Sequence, residues 1–221
     1  MKKIPEQLSQ IKGILFDLDN TLYPSGKGVF DLVSERIDQY VMFEAGVDSG
    51  SVKNIREDYI AAYGTTLGGL IQHHSTSPEH FLDFVHDIPV ESMLQADPGL
   101  EAFLARIRLP KVIFTNASAS HASRVLAALG VGGHFLEICD LVATGYLGKP
   151  HNEAFLLAVD TIGLPAGKTL FVDDMPANVD AAAGLGIIPV LVEINSDGTD
   201  HLTVSKVTDL AEYFEGLPWF K

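Results

Sequence analysis

Apolar residues gather into four short runs, each closed by polar or Gly/Pro residues: Ile11 to Phe16, Lys111 to Thr115, Thr169 to Val172 and Ile187 to Val192. Their length and β-branched content predict buried strands, and Leu136 to Val142 is a candidate fifth. Between them the apolar residues recur with helical spacing over Gly99 to Arg108, His121 to Leu129, Asn152 to Ile162 and Ala177 to Leu185. Strand and helix alternate, so the pattern predicts an α/β fold: a Rossmann-like parallel sheet with helices on both faces.

The stretch from Pro24 to Ala96 breaks that alternation. It offers helical stripes, Val29, Phe30, Val33, Ile37, Tyr40 and Val41 in one and Ile55, Tyr59, Ala62 and Tyr63 in another, but no convincing strand. Ser51 is placed to cap the second of these helices, and Ser77-Pro78-Glu79 opens a third. The expected organisation is a core built from residues 1–23 and 97–221, with residues 24–96 inserted after the first strand as a small all-helical cap.

Composition narrows the class. With 221 residues, 47% of them apolar, the chain can bury a substantial core, which excludes a disordered or fibrous protein. Acids outnumber bases 29 to 15, and no run of Lys or Arg forms a cationic stripe, so nucleic acid is not an expected partner. A net charge of -14 does not rule out anionic substrates, because carboxylates that hold a divalent cation reverse the local field. The apolar runs are too short to cross a bilayer, and Met1 to Gln10 has no apolar stretch of signal-peptide type. Cys139 is the only cysteine, consistent with a reducing cytoplasm and with an ordinary buried residue. The expected setting is cytoplasmic, with no membrane contact and no feature that fixes an oligomeric state.

Four strand ends carry the candidate chemistry. Asp17 and Asp19 stand two residues apart where the first strand gives way to a loop, so both point the same way. Such a site beyond the carboxyl ends of parallel strands is where ligands bind in open sheets, although a lone Asp-x-Asp more often caps a turn. Thr115-Asn116 ends the next strand, with hydroxyl, amide and backbone N–H groups for phosphate oxygens or, more plainly, for a helix cap. Lys149, between Gly148 and Pro150, is either a fixed cation beside a carboxylate and a phosphate or a solvated lysine. Asp173 and Asp174 are adjacent acids after an apolar strand, costly to hold together without a proton or cation. Mg²⁺, with its preference for carboxylates, water and phosphate oxygens, is the cation that fits. Asn178 is either a brace for that loop or a polar first-turn residue.

Taken in order, these motifs resemble the haloacid-dehalogenase-like superfamily, matched by Asp17-x-Asp19-x-Thr21, Thr115-Asn116, Lys149 and Asp173-Asp174 with Asn178. The resemblance implies that Asp17 attacks phosphorus to form an aspartyl phosphate, that Asp19 protonates the leaving oxygen and later activates water, and that Thr115, Asn116 and Lys149 meet the phosphoryl group. It also implies Mg²⁺ held by the Asp17 carboxylate, the Asp19 carbonyl and Asp174, with Asp173 in support. Haloacid dehalogenases generally lack the second Asp, so Asp19 favours phosphate chemistry. A phosphomutase and an idle regulatory protein on the same fold are the other classes.

Within the helical-cap subgroup, Asp17-Leu18-Asp19-Asn20-Thr21-Leu22-Tyr23-Pro24, the segment Tyr63 to Leu70 and Gly148-Lys149-Pro150 resemble the pyrimidine 5′-nucleotidase-like branch. Fungal members of that branch often carry Cys where Thr21 stands here. The implied substrate is a small phosphorylated metabolite, a nucleoside 5′-monophosphate first, with a sugar phosphate, phosphoglycolate or lysophosphatidate as alternatives. Tyr63, Thr65, His73 and His74 are the cap residues suited to a base or ribose; Tyr63 as a packed ring and the two histidines as a solvated face are the plainer readings. Gly64, Gly68 and Gly69 predict a tight turn or a close backbone approach there.

Overall fold

In the computed structural model, which describes residues 6–193 and 200–221, six strands form one parallel sheet. Lys2 and Lys3, which bear on the N-terminal sequence pattern, lie outside the described residues. The strands are β1 (Gly13–Phe16), β2 (Lys111–Phe114), β3 (Glu137–Cys139), β4 (Thr169–Asp173), β5 (Ile188–Val192) and β6 (Leu202–Val204). Their order is β3-β2-β1-β4-β5-β6, so β1 lies between β2 and β4. The order reverses direction between β1 and β4, the position at which open α/β sheets leave a crevice beyond their carboxyl ends.

Side chains alternate across the pleat and thereby supply two cores. Ile14, Phe16, Ile113, Leu170 and Val172 face one side, against α6 (Pro98–Arg106), α7 (Ala119–Leu129) and α10 (Ala211–Phe214). Leu15, Val112, Phe114 and Phe171 face the other, against Ala154, Phe155 and Ala158 of α8 (Asn152–Ile162) and Ala182 of α9 (Pro176–Gly184). Phe114, Phe155 and Phe171 are fully buried and meet ring to ring, with centroids 5.2 to 5.8 Å apart. Each such side chain stabilises the fold by roughly 2 kcal/mol through burial alone.

Between β1 and α6 the described residues contain helices and no strand: α1 (Val29–Ala45), α2 (Val52–Tyr63), α3 (Thr66–His74), α4 (Pro78–Val85) and α5 (Val90–Met93). The first four pack on one another, while α5 packs on α7. Ser77 caps α4 as its sequence context predicts, accepting from His80 N at 3.3 Å. Ser51 stands at the start of α2 but its hydroxyl makes no capping bond. Asp48 does the local work instead, its Oδ1 accepting from Gly50 N and Ser51 N at 3.0 Å each.

Two sheet details depart from the sequence reading. The candidate strand Leu136 to Val142 contracts to Glu137–Cys139, where Asp140 leaves the ladder and ties the start of α7 to the following loop, accepting from Ala119 N and Ala143 N at 2.8 Å each. The edge strand β6 is not predicted at all, being three residues long and only partly buried.

Candidate active site

Asp17 follows the last residue of β1, and its N–H donates to Val172 O at 2.9 Å, extending the ladder one step so that the side chain emerges at the sheet's carboxyl edge. Thr115 is fixed in the same way, its N–H donating to Cys139 O at 3.1 Å. Asp173 ends β4 next door, and Lys149 reaches in from the loop before α8. The motif residues therefore converge because β1, β2 and β4 are neighbours in the sheet.

Lys149 lies at the centre of the charges. Its Nζ donates to Asp17 Oδ1 at 2.6 Å, to Asp173 Oδ2 at 2.7 Å and to the Phe114 carbonyl at 2.9 Å, and it is only 2% exposed, so the solvated-lysine reading fails. Burial opposes its charge, yet Asp17 and Asp173 hold its pKa above the usual lysine value. Asn178 braces the acid behind it, donating from Nδ2 to both Asp173 oxygens at 2.9 and 3.1 Å, and Met175 N adds a bond to Asp173 Oδ1 at 2.8 Å.

The acids still outnumber the cations. Burial pushes the Asp17 carboxyl well above the usual carboxylate range; Lys149 opposes that shift, and Asp173 and Asp174 add to it. Burial, and then the charge of Asp173, pushes Asp174 up to about 6. One carboxylate oxygen from each of Asp17, Asp173 and Asp174 lies within 4.8 Å of the others. Hard oxygen donors at that spacing, in a site short of positive charge, fit a divalent cation such as Mg²⁺.

Asp19 belongs to a second set of contacts. Its Oδ1 accepts from His121 Nε2 at 3.0 Å and, in a short contact, from Tyr23 Oη. Burial works against ionisation, but the His121 bond and charge, then Tyr23, hold its pKa below the ordinary value. His121 comes from the first turn of α7, is 1% exposed, and stacks on His86 with ring centroids 4.5 Å apart. The sequence gives neither histidine a site role, and Tyr23 enters there only as part of the segment Asp17 to Pro24. The available signal is that His121 shares the core-facing stripe of α7 with Ala122, Val125, Leu126 and Leu129, where a polar residue is conspicuous.

Two predicted binders fall elsewhere than expected. The Asn116 side chain clamps the Lys149 loop, donating from Nδ2 to Lys149 O at 3.0 Å and accepting from Lys149 N at 2.8 Å, so its amide is already engaged. Tyr63 does not line the cavity: its hydroxyl pairs with His73 Nε2 at 2.9 Å, and it is its carbonyl that meets the core, accepting from His151 Nε2 at 2.7 Å. Tyr63 ends α2, and Gly64 in the left-handed conformation (φ 76°) turns the chain there. A Cβ at Gly64 would fall 2.4 Å from His151, so the predicted close approach is real. Thr65 does line the cavity and also caps α3, its Oγ1 accepting from Gly68 N at 3.0 Å.

Asp17, Asp19, Thr115, Lys149 and Asp174 open into one cavity of about 630 Å³ between the sheet edge and the helical insertion. On the insertion side its wall is largely apolar, with Phe30, Val33, Ile37, Ile60, Phe81 and Leu82. Arg56 is the cation among the residues that α1 to α4 contribute, and it is already bound to Asp38 at 2.6 Å and Ser34 Oγ at 2.9 Å.

A family model described as a haloacid dehalogenase-like hydrolase matches residues 11–186 of this chain. The chain belongs to the haloacid dehalogenase-like hydrolases. Among its relatives, Phosphate metabolism protein 8 of Saccharomyces cerevisiae is 26% identical over 84% of this chain, which covers 62% of the yeast protein's length, less than two thirds. The Glyceraldehyde 3-phosphate phosphatase of Methanocaldococcus jannaschii is 24% identical over 94% of this chain and 98% of that protein. The fold of this haloacid dehalogenase-like hydrolase is also that of a HAD phosphatase from Thermococcus onnurineus, with a TM-score of 0.62, 18% identity, and 93% and 99% of the two chains covered. No helix among the described residues is long and apolar enough to cross a membrane.

Proposed function

We propose that this hydrolase cleaves phosphate monoesters through an aspartyl phosphate on Asp17. The observation that carries the reading is the buried Lys149 bridge between Asp17 and Asp173. It holds the nucleophile at a fixed place and supplies one of the positive charges that an incoming phosphate dianion requires. A Mg²⁺ ion held by Asp17, Asp174 and the Asp19 carbonyl, with Asp173 in support, would supply the remaining charge compensation when bound. Thr115, buried beside Asp17, offers its hydroxyl to a phosphate oxygen. The like charge of a bound phosphate disfavours the ionised form of Asp19, so that in the complex Asp19 takes up a proton, gives it to the departing alkoxide and later takes one from the water that attacks the phosphoenzyme. A halide would leave without that proton, which is why the second acid favours esters.

The substrate we propose first is a nucleoside 5′-monophosphate. Its support is the size of the cavity and its apolar far wall, where a base would pack against Phe30 and Ile60 with the phosphate at Asp17. The same wall favours a second reading, a lysophosphatidate whose chain lies along Val33, Ile37 and Phe81. Phosphoglycolate and triose phosphates would leave most of the cavity unfilled. Residues 24–96 then act as the lid that reads the leaving group, and the setting proposed is cytoplasmic. Phosphate release from UMP, CMP, lysophosphatidate, sugar phosphates and phosphoglycolate, with and without Mg²⁺, tests both parts. Mg²⁺-dependent release ranked highest for UMP or CMP is expected, and no release from any ester would overturn the reading.

A further inference from the structure

We propose that His121 is a positioning residue for Asp19: with Tyr23 it pins one carboxylate oxygen, leaving the other to carry the proton toward the leaving group. The inference rests on the phosphatase reading above. A carboxyl group turns easily about its last torsion, and its two oxygens are equivalent until donors distinguish them. Here both donors, His121 Nε2 at 3.0 Å and Tyr23 Oη, land on Oδ1. Oδ2 is the oxygen that these two side chains leave unengaged, on a residue that lines the cavity beside Asp17.

The support is itself held rigidly. The His121 side chain has 0% exposure, and its ring lies on that of His86 at an interplanar angle of 23°. His86 is tied down in turn, its Nδ1 pairing with Ser118 Oγ at 3.1 Å and its carbonyl accepting from Arg124 Nη1 at 3.0 Å. His121 Nδ1 is buried with no hydrogen-bond partner among the described residues, so the contact to Asp19 is the one directional bond that fixes the ring. An unpartnered ring nitrogen is a cost to the fold, and a structural role alone is served as well by an apolar side chain at this position.

The test separates positioning from packing by changing the leaving group. A nucleoside monophosphate or other alkyl ester needs a proton as it departs, whereas p-nitrophenyl phosphate hardly does. His121→Leu should lower kcat on the alkyl ester about 10- to 100-fold and on p-nitrophenyl phosphate less than about threefold, with KM little changed. His121→Gln, whose amide N–H can replace the Nε2 donor, should recover most of the loss. Tyr23→Phe removes one oxygen and keeps the ring, so it carries the same test if His121→Leu does not fold. Equal losses on the two esters, or no loss on either, in both donor-deleting variants would overturn the role. The phosphatase reading fails separately: it falls if the wild-type enzyme releases phosphate from no ester. With an active wild type whose Asp19→Asn variant loses alkyl esters selectively, flat profiles for His121→Leu and Tyr23→Phe sink only the positioning role.

Discussion

The two walls of the cavity are built on opposite principles. On the sheet side, polar and charged side chains at or near the sheet's carboxyl edge are held by named partners: Lys149 to Asp17 and Asp173, Asn178 to Asp173, Asn116 to the Lys149 backbone. On the insertion side, Phe30, Val33, Ile37, Ile60 and Phe81 present shape and apolar area with no directional bonds. Charges in a dry site depend on position to within tenths of an ångström, so a change at one of them has a large and specific effect. An apolar wall yields gradually, each side chain contributing a part of the fit.

That contrast orders what substitutions should do. The largest effect is expected from Asp17→Asn, which removes the proposed nucleophile and keeps its shape: phosphate release should fall about 10⁴-fold or more with an unchanged circular dichroism spectrum. Mass spectrometry of a trapped phosphoenzyme should map the added phosphate to Asp17, and a label elsewhere would break the sheet side of the comparison. Next comes Lys149→Met. It leaves Asp17 and Asp173 buried together without their cation, and should cost about 3–5 kcal/mol in urea unfolding at pH 7.5. A loss under about 1 kcal/mol would mean that the bridge is only a surface-type pair.

A smaller effect concerns Asp174. Its pKa is raised from an ordinary carboxylate value to about 6, so between those values the folded protein binds more protons than the unfolded chain. Without metal, that group's contribution to stability therefore falls as pH rises toward 6. A divalent cation needs the ionised form, so the rise in Tm caused by Mg²⁺ should be full at pH 7.5 and shrink as pH falls below about 6. A Mg²⁺ effect that is flat from pH 5 to 8 would remove Asp174 from the metal's ligands. The smallest effects belong to the insertion. Phe30→Ser and Ile60→Ser should each shift the ranking of UMP against sugar phosphates by about 3- to 10-fold while sparing p-nitrophenyl phosphate. Tyr63→Ala, outside the cavity, should leave the ranking unchanged.

How much of this is legible in the sequence follows from the same contrast. Asp17 and Asp173-Asp174 are readable because apolar strands in a parallel sheet end on a common edge, so that a charged residue at such an end has a defined place, and Lys149 stands out because Gly148 and Pro150 fix the backbone beside it just before a helix. The helices of the core are readable for a similar reason, since Asn152–Ile162 carries its own period. The partners of Asn116 and Tyr63 are not legible, because residue type gives hydrogen-bonding capacity but not its use: the amide goes to a loop and the phenol to His73. His121 reads as no more than the start of a helix, and its partner Asp19 lies 102 residues away in the chain. Contacts of that range have no local signature.

The meeting of Gly148 and Thr65 has a consequence for anyone exchanging parts between proteins of this family. A Cβ on Gly148 would lie 2.7 Å from the Thr65 methyl and 2.8 Å from Asn116 Oδ1, and beside it His151 reaches the Tyr63 carbonyl. The insertion thus touches the loop that carries Lys149, although the chain joins them nowhere near it. A chimera cut only at the two connections to the insertion would import a foreign surface against that loop and disturb the lysine before it altered selectivity. The unit to transplant is discontinuous: the helices together with the turn from Gly148 to His151.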